Sequence, residues 1–314
     1  MNSFQAAMKG KKIFLTGGTG FFGKSILDYL ISRKMNEISL TILTRSLKAF
    51  QQKYPLFTSL PNTEYLQGDV RNFSFPNQEF DFIIHAAAPV SNNLPDSELA
   101  SIIVDGTVHV LDFAKHSNTK RLLFTSSGAV YGIQSSEVEK IHETMPCHPQ
   151  TAYGRNKLLA EQMCQKSGIT TVIARCFSFC GPYLDLHSHF AIGDFIRACL
   201  MNQDIVIEGD GTPMRSYLYS DDLVEWLFTL LIHGKHACPY NVGSDRAVSI
   251  KELAETVRTV LGSHNEIIIK GAPVSGMAPS RYIPDIQRAV EELHLRVKTS
   301  LQDAIHKTVR MNYD

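Results

Sequence analysis

The chain has 314 residues, 44% hydrophobic and 20% charged, a size and balance suited to a large α/β domain with or without a smaller companion. Its 31 basic residues match 31 acidic ones, so no global field recruits nucleic acid or an acidic membrane surface. No apolar run approaches membrane-spanning length, and residues 1–10 lack the apolar core of a secretory signal. Six cysteines (147, 164, 176, 180, 199 and 238) form no C-x-x-C and no zinc-like pairing with histidine, so no metal is expected and a reducing, cytoplasmic compartment is.

In chain order, a short apolar run from Lys11 ends at Thr16 and meets Gly17-Gly18-Thr19-Gly20-Phe21-Phe22-Gly23. Phe22, Ile26, Leu27, Leu30 and Ile31 then recur at helical spacing, which predicts strand, tight turn and helix. Gly18, Gly20 and Gly23 satisfy the G-x-G-x-x-G dinucleotide pattern. Glycine lets the backbone turn sharply against a pyrophosphate, and a helix N-terminus offers it amide donors. A second strand is predicted over residues 38–43, ending at Thr44-Arg45-Ser46. A helical or irregular stretch with Pro55 and Pro61 leads to the loop Gly68-Asp69-Val70.

Residues 81–85 read as a buried strand that opens into Ala86, Ala87 and Ala88. One long helix is expected over 97–116, then a strand over 121–125 running into Ser126-Ser127-Gly128, a helix over 152–166 and a strand over 170–174. Apolar strands alternating with helices imply a parallel sheet covered on both faces, a Rossmann-like doubly wound fold. Beyond Gly181-Pro182 the rhythm loosens: helix over 190–200, strand over 205–207, helix over 221–232, and a capping box at Ser249–Glu252 opening another helix. The expected division is 1–176 plus about 215–238 as the dinucleotide-binding domain, and about 177–214 plus 239–314 as a smaller α/β lobe for substrate.

Tyr153 and Lys157 stand four apart at a helix start, hence on one face. An ammonium there stabilises phenolate, so Tyr153 is expected to have a lowered pKa and to serve as an acid/base group. Ser127 lies at the carboxyl end of a predicted strand, the edge where ligands bind in an open parallel sheet.

Taken together, these motifs resemble the extended short-chain dehydrogenase/reductase family of nucleotide-sugar epimerases, dehydratases and reductases. Gly68-Asp69-Val70, His85–Ala88, Ser126–Gly132, Gly181-Pro182 and the run Gly209-Asp210-Gly211 through Arg215 extend the likeness over nearly the whole chain. The resemblance implies a catalytic triad of Ser127, Tyr153 and Lys157. It also implies a dinucleotide held by Gly17, Thr19, Gly20, Phe21, Phe22 and Gly23, with Asp69 and Val70 at the adenine, Ala86 and Ala87 along the cofactor path, and Tyr153 and Lys157 at the nicotinamide end. For the nucleotide sugar it implies Ser127, Gly128, Tyr153, His189, Phe190, Arg215 and Arg281, the arginines gripping pyrophosphate. His189-Phe190 resembles a thymidine-binding segment, and a homodimer through the 97–116 and 152–166 helices is expected on the same likeness.

Departures narrow the chemistry. The family's 4,6-dehydratases carry Thr-Asp-Glu where this chain has Ser127-Gly128-Ala129, and its decarboxylases carry a glutamate in that segment. Gly128 and Ala129 can supply neither acid nor base. Ser178 and Ile103 stand where asparagines are usual. Hydride exchange at C4 is therefore favoured, either reduction of a 4-keto-6-deoxyhexose, plausibly dTDP-linked, or 4-epimerisation on tightly bound NAD, with a 4,6-dehydratase and a non-catalytic cofactor sensor as lesser alternatives. Thr44-Arg45-Ser46 offers no carboxylate for a ribose 2′-hydroxyl, and Arg45 suits a 2′-phosphate. The expected cofactor is therefore NADP, with NAD as the alternative.

Overall fold

The computed structural model describes residues 3–89, 94–188, 190–274, 276 and 278–310. It contains a seven-stranded sheet in the order Pro239–Val242, Thr171–Cys176, Arg121–Ser127, Phe82–His85, Lys12–Thr16, Ser39–Thr44, Thr63–Gln67. Neighbours run parallel from Thr63–Gln67 across to Thr171–Cys176. Lys12–Thr16 pairs on one side with Ser39–Thr44 and on the other with Phe82–His85. The winding direction reverses at that strand, and its carboxyl end is the crevice position of a doubly wound sheet.

The strands Lys12–Thr16, Ser39–Thr44 and Phe82–His85 are buried on both faces, as their continuous apolar runs predict. Phe14 anchors one face, with ring centroids 5.3 Å from Phe73, 5.4 Å from Phe80 and 4.7 Å from Phe113. Residues 63–67, left unassigned by the sequence pattern, form the outermost strand. The expected 97–116 helix is helical from Asp96 but widens into a π-turn at Ser101–Asp105 before continuing as Gly106–His116. Gly106 is needed there, because a Cβ would lie 2.9 Å from Val70 Cγ1.

The chain divides into two compact units. The first comprises Met1–Gly132, Pro146–Cys176 and Val224–Tyr240; the second comprises Ile133–Met145, Phe177–Leu223 and Asn241–Asp314. In the second, the helices Ala191–Leu200 and Ile250–Val260 bury Ile192, Phe195, Ile196, Leu253 and Val257 in a core that also takes Ile205 and Ile207. The predicted capping box is present: Ser249 accepts from Glu252 N–H at 3.1 Å, and Glu252 accepts from Ser249 N–H at 2.8 Å. Among the described residues, no helix is long and apolar enough to cross a membrane.

Candidate active site

The glycine turn is sterically obligatory. Gly17 has φ +72°, and a Cβ on it would meet Ala86 O at 2.4 Å. A Cβ on Gly23 would lie 2.2 Å from Gly18 Cα, so this glycine lets the helix Phe21–Ser32 start against the turn. A Cβ on Gly20 would meet nothing closer than 3.4 Å, and that helix has no side-chain cap. Uncapped amides behind an open glycine are the donor set that a pyrophosphate requires, so the residues present fit a dinucleotide. Thr19, Phe21 and Phe22 border this turn, each partly exposed.

The neighbouring loops end at the same edge of the first unit. Arg45 is exposed at the end of Ser39–Thr44. Asp69 carries an ionic partner that sequence reasoning missed: Arg71 donates from Nε to Oδ1 at 2.8 Å and from a terminal nitrogen to Oδ2 at 2.9 Å. Hydrogen bonding to Arg71 holds the Asp69 carboxyl below its ordinary range. Val70 is buried against Gly106, while Ala86 and Ala87 are half-buried beside Gly17.

Ser127 ends the strand Arg121–Ser127 and caps the short turn that follows, accepting from Ala129 N–H at 3.1 Å. The helix Ala152–Lys166 starts at Thr151, which accepts from Gly154 N–H at 3.1 Å. A Cβ on Gly154 would lie 2.5 Å from Ala129 O. Glycine at that position therefore lets the first helical turn, with Tyr153, close onto the Ser127–Ala129 segment. The residue sits inside Tyr153-Gly154-Arg155-Asn156-Lys157, where only its neighbours drew notice.

The Ser127 side chain is a neighbour that lowers the pKa of the Tyr153 phenol. The Lys157 ammonium is buried 5.8 Å from the Tyr153 ring centroid and donates to Thr125 O at 2.8 Å. Here the expectation about Tyr153 is corrected. Burial pushes its pKa up to about 12, a rise that the Ser127 side chain only moderates. Burial likewise pushes Lys157 down to about 8. Desolvation outweighs charge pairing because the ammonium is turned to a strand carbonyl rather than to the phenol oxygen. Tyr153 is consequently a neutral phenol at physiological pH, and Lys157 remains mostly charged.

Beneath this group lies a buried ion pair. Glu161 accepts from Arg175 in a fork, with contacts of 2.7, 3.1 and 3.2 Å, and from the Ser126 hydroxyl. Glu161 stands four residues past Lys157, yet its partner comes from the adjacent strand Thr171–Cys176.

In the second unit, Arg215 and Arg281 lie on neighbouring strands of a small sheet, Met214–Arg215 and Arg281–Tyr282. The register sets Arg281 opposite Met214 and Arg215 opposite Tyr282, so the two arginines are offset by one residue. Gln134, which the sequence did not single out, holds the second strand by accepting from Ile283 N–H at 3.0 Å. Ser216, beside Arg215, carries a buried hydroxyl without a hydrogen-bond partner among the described residues. A cleft of about 280 Å³ opens among Asp194, Phe195, Ile207, Glu208, Pro213 and Ile250. Phe190 is 51% exposed at the start of the Ala191–Leu200 helix. His189 lies outside the described residues.

Residues 13–243 match the family described as "NAD dependent epimerase/dehydratase family". The chain belongs to that family. It is an extended short-chain dehydrogenase/reductase, a class of NAD-dependent nucleotide-sugar enzymes. Among its relatives, UDP-glucuronic acid decarboxylase 1 of Arabidopsis thaliana is 30% identical over 96% of this chain and 69% of the relative. UDP-glucuronic acid decarboxylase 6 of the same plant is 28% identical over 96% and 88%. Two solved structures share the fold. UDP-glucose 4-epimerase from Thermotoga maritima has a TM-score of 0.82 at 23% identity, covering 96% of this chain and 98% of that one. UDP-N-acetylglucosamine 4-epimerase from Methanobrevibacter ruminantium reaches 0.85 at 22%, covering 97% and 99%.

Proposed function

We propose that this enzyme reduces the C4 carbonyl of a nucleotide-linked 4-keto-6-deoxyhexose, taking hydride from NADPH. The observation that carries the reading is Tyr153: a phenol kept protonated by burial, beside the Ser127 hydroxyl and with no carboxylate at Gly128 or Ala129. Such a group is a proton donor for a carbonyl oxygen. When bound, the reduced dinucleotide supplies the hydride. Tyr153 gives its proton to the C4 oxygen, Ser127 orients that oxygen, and the Lys157 ammonium stabilises the phenolate left behind. Bulk water then reprotonates Tyr153.

The exposed Arg45 at the end of its strand supports NADP over NAD, since a guanidinium pairs with a 2′-phosphate. Arg215 and Arg281 are assigned to the substrate pyrophosphate, and the cleft beside Pro213 and Phe195 to its base. A homodimer formed through the helices 97–116 and 152–166 is proposed on family likeness.

The relatives favour a second reading. Their names specify UDP-glucuronic acid decarboxylases and a UDP-glucose 4-epimerase, and in the second reading this chain is a 4-epimerase with tightly bound NAD. Purified protein supplied with a dTDP-4-keto-6-deoxyhexose and NADPH should lose reduced-nicotinamide absorbance in step with product, and Tyr153→Phe should abolish that loss. Conversion of UDP-glucose or UDP-glucuronic acid with no net change in nicotinamide, and no reduction of the keto sugar, would sink the reductase reading in favour of the second.

A further inference from the structure

His85 is an interior histidine whose two ring nitrogens both have partners. It is buried to 1% exposure, and the hydroxyls on either side of it, Thr16 and Thr107, are at 0%. Thr16 Oγ1 accepts from Ala87 N–H at 3.2 Å and lies 2.8 Å from His85 Nδ1. His85 Nε2 lies 3.1 Å from Thr107 Oγ1, which donates to Ile103 O at 2.5 Å.

Counting protons gives this line one direction. Thr107 Oγ1 gives its one proton to Ile103 O, inside the π-turn, so it can only accept from His85 Nε2. The neutral ring then accepts at Nδ1, and the Thr16 hydroxyl donates there while its oxygen accepts from Ala87 N–H. A proton on Nδ1 would face the Thr16 donor, and burial holds the imidazole pKa down at about 3. The ring is therefore locked in one neutral tautomer.

The near end of the line borders the candidate site. Thr16 immediately precedes Gly17, and Ala87 follows Ala86, whose carbonyl touches the space a Gly17 Cβ would fill. The backbone of the same histidine extends the connection: Thr125 donates its hydroxyl to His85 O at 3.2 Å, and Thr125 O accepts from Lys157 Nζ at 2.8 Å.

We propose that His85 is a positioning residue for dinucleotide binding, holding the phosphate turn at Thr16–Gly17 in register with the Ala86–Ala87 segment through a directional line that ends on Thr107. This rests on the dinucleotide fit argued above. Without the line, Thr16 and Ala87 lose a shared tether, and the amides behind Gly17 and Gly20 no longer meet a pyrophosphate at fixed positions. A purely structural role would lower stability and leave the affinity of the folded protein unchanged.

The test removes the far end of the line, which touches no ligand. Dissociation constants for NADH and NADPH are measured by nicotinamide fluorescence on folded protein, beside thermal midpoints. Thr107→Val should weaken the tighter dinucleotide about tenfold, and Thr107→Ser, which restores a hydroxyl, should bind within about twofold of wild type. Thr16→Val should weaken binding similarly, and the Thr16→Val/Thr107→Val double variant should be no worse than the weaker single, since both break the same line. If Thr107→Val does not fold, the contrast between Thr16→Val and Thr16→Ser decides. Wild-type affinity in variants with lowered midpoints, or effects that multiply in the double variant, overturns the proposal alone. Failure of the wild type to bind either dinucleotide overturns it together with the functional reading.

Discussion

Ser127, Tyr153 and Lys157 stand on a seven-residue strand and a fifteen-residue helix, whereas Arg215 and Arg281 stand on strands of two residues each. The first group is welded to its surroundings. Lys157 is capped by a carbonyl, Ser127 caps a turn, and the Glu161–Arg175 pair ties helix to sheet. The second group is half-exposed, its strands steadied by a few loop contacts such as Gln134. The residues proposed for proton transfer are thus fixed by long elements, while the two arginines proposed for the substrate pyrophosphate stand half-exposed on short strands, Arg215 donating to Met214 O at 2.8 Å.

Four measurements can break or sharpen that contrast. The largest effect is expected from Glu161→Ala, which strands the buried Arg175 guanidinium and orphans the Ser126 hydroxyl. Loss of one partner of a buried pair costs about 3–5 kcal/mol, so denaturant unfolding should register a drop of that order. A loss under about 1 kcal/mol would show that the strand end is not held in this way.

Lys157 should make stability depend on pH. Its folded pKa, about 8, lies below its ordinary 10.5, so between those values the unfolded chain binds more protons than the folded one. Stability attributable to this group therefore rises with pH across that window, by on the order of 3 kcal/mol. Below about pH 8 both states are protonated and the burial penalty stands in full. Comparing wild type with Lys157→Met from pH 7 to pH 10.5 isolates the rise, and parallel profiles would refute it.

Arg215→Leu should leave the thermal midpoint nearly unchanged while raising KM for a nucleotide sugar about 10–100-fold, the value of a charge-assisted hydrogen bond or two. An equal loss in kcat would move Arg215 into the group that positions the reacting atoms. The smallest effect concerns Ser216, whose buried hydroxyl lacks a partner among the described residues. Ser216→Ala removes an unsatisfied group and should stabilise the protein by up to about 1 kcal/mol. A fall in stability would mean that the hydroxyl is satisfied in solution.

Much of the first unit could be read from spacing. In the three-residue rhythm of Gly17, Gly20 and Gly23, two positions have a steric reason for lacking a side chain, Gly23 against the nearby Gly18 and Gly17 against the distant Ala86, while Gly20 stands open. Tyr153 and Lys157 share a helix face by helical spacing. The direction of the Tyr153 pKa shift differs from the expected one because spacing reports proximity, while the pKa depends first on desolvation.

By itself, then, the chain's order of residues determined the local conformations: parallel strands, a glycine turn opening a helix, a capped helix carrying Tyr153 and Lys157. Tertiary structure alone decided which distant polar groups meet. Thr16 and His85 are 69 residues apart, His85 and Thr107 are 22, and Gln134 and Ile283 are 149. Each pairing is favoured because a buried hydroxyl, imidazole or amide is costly until it finds a partner. Sheet order and packing select that partner, and neither is written in the local pattern of any one segment.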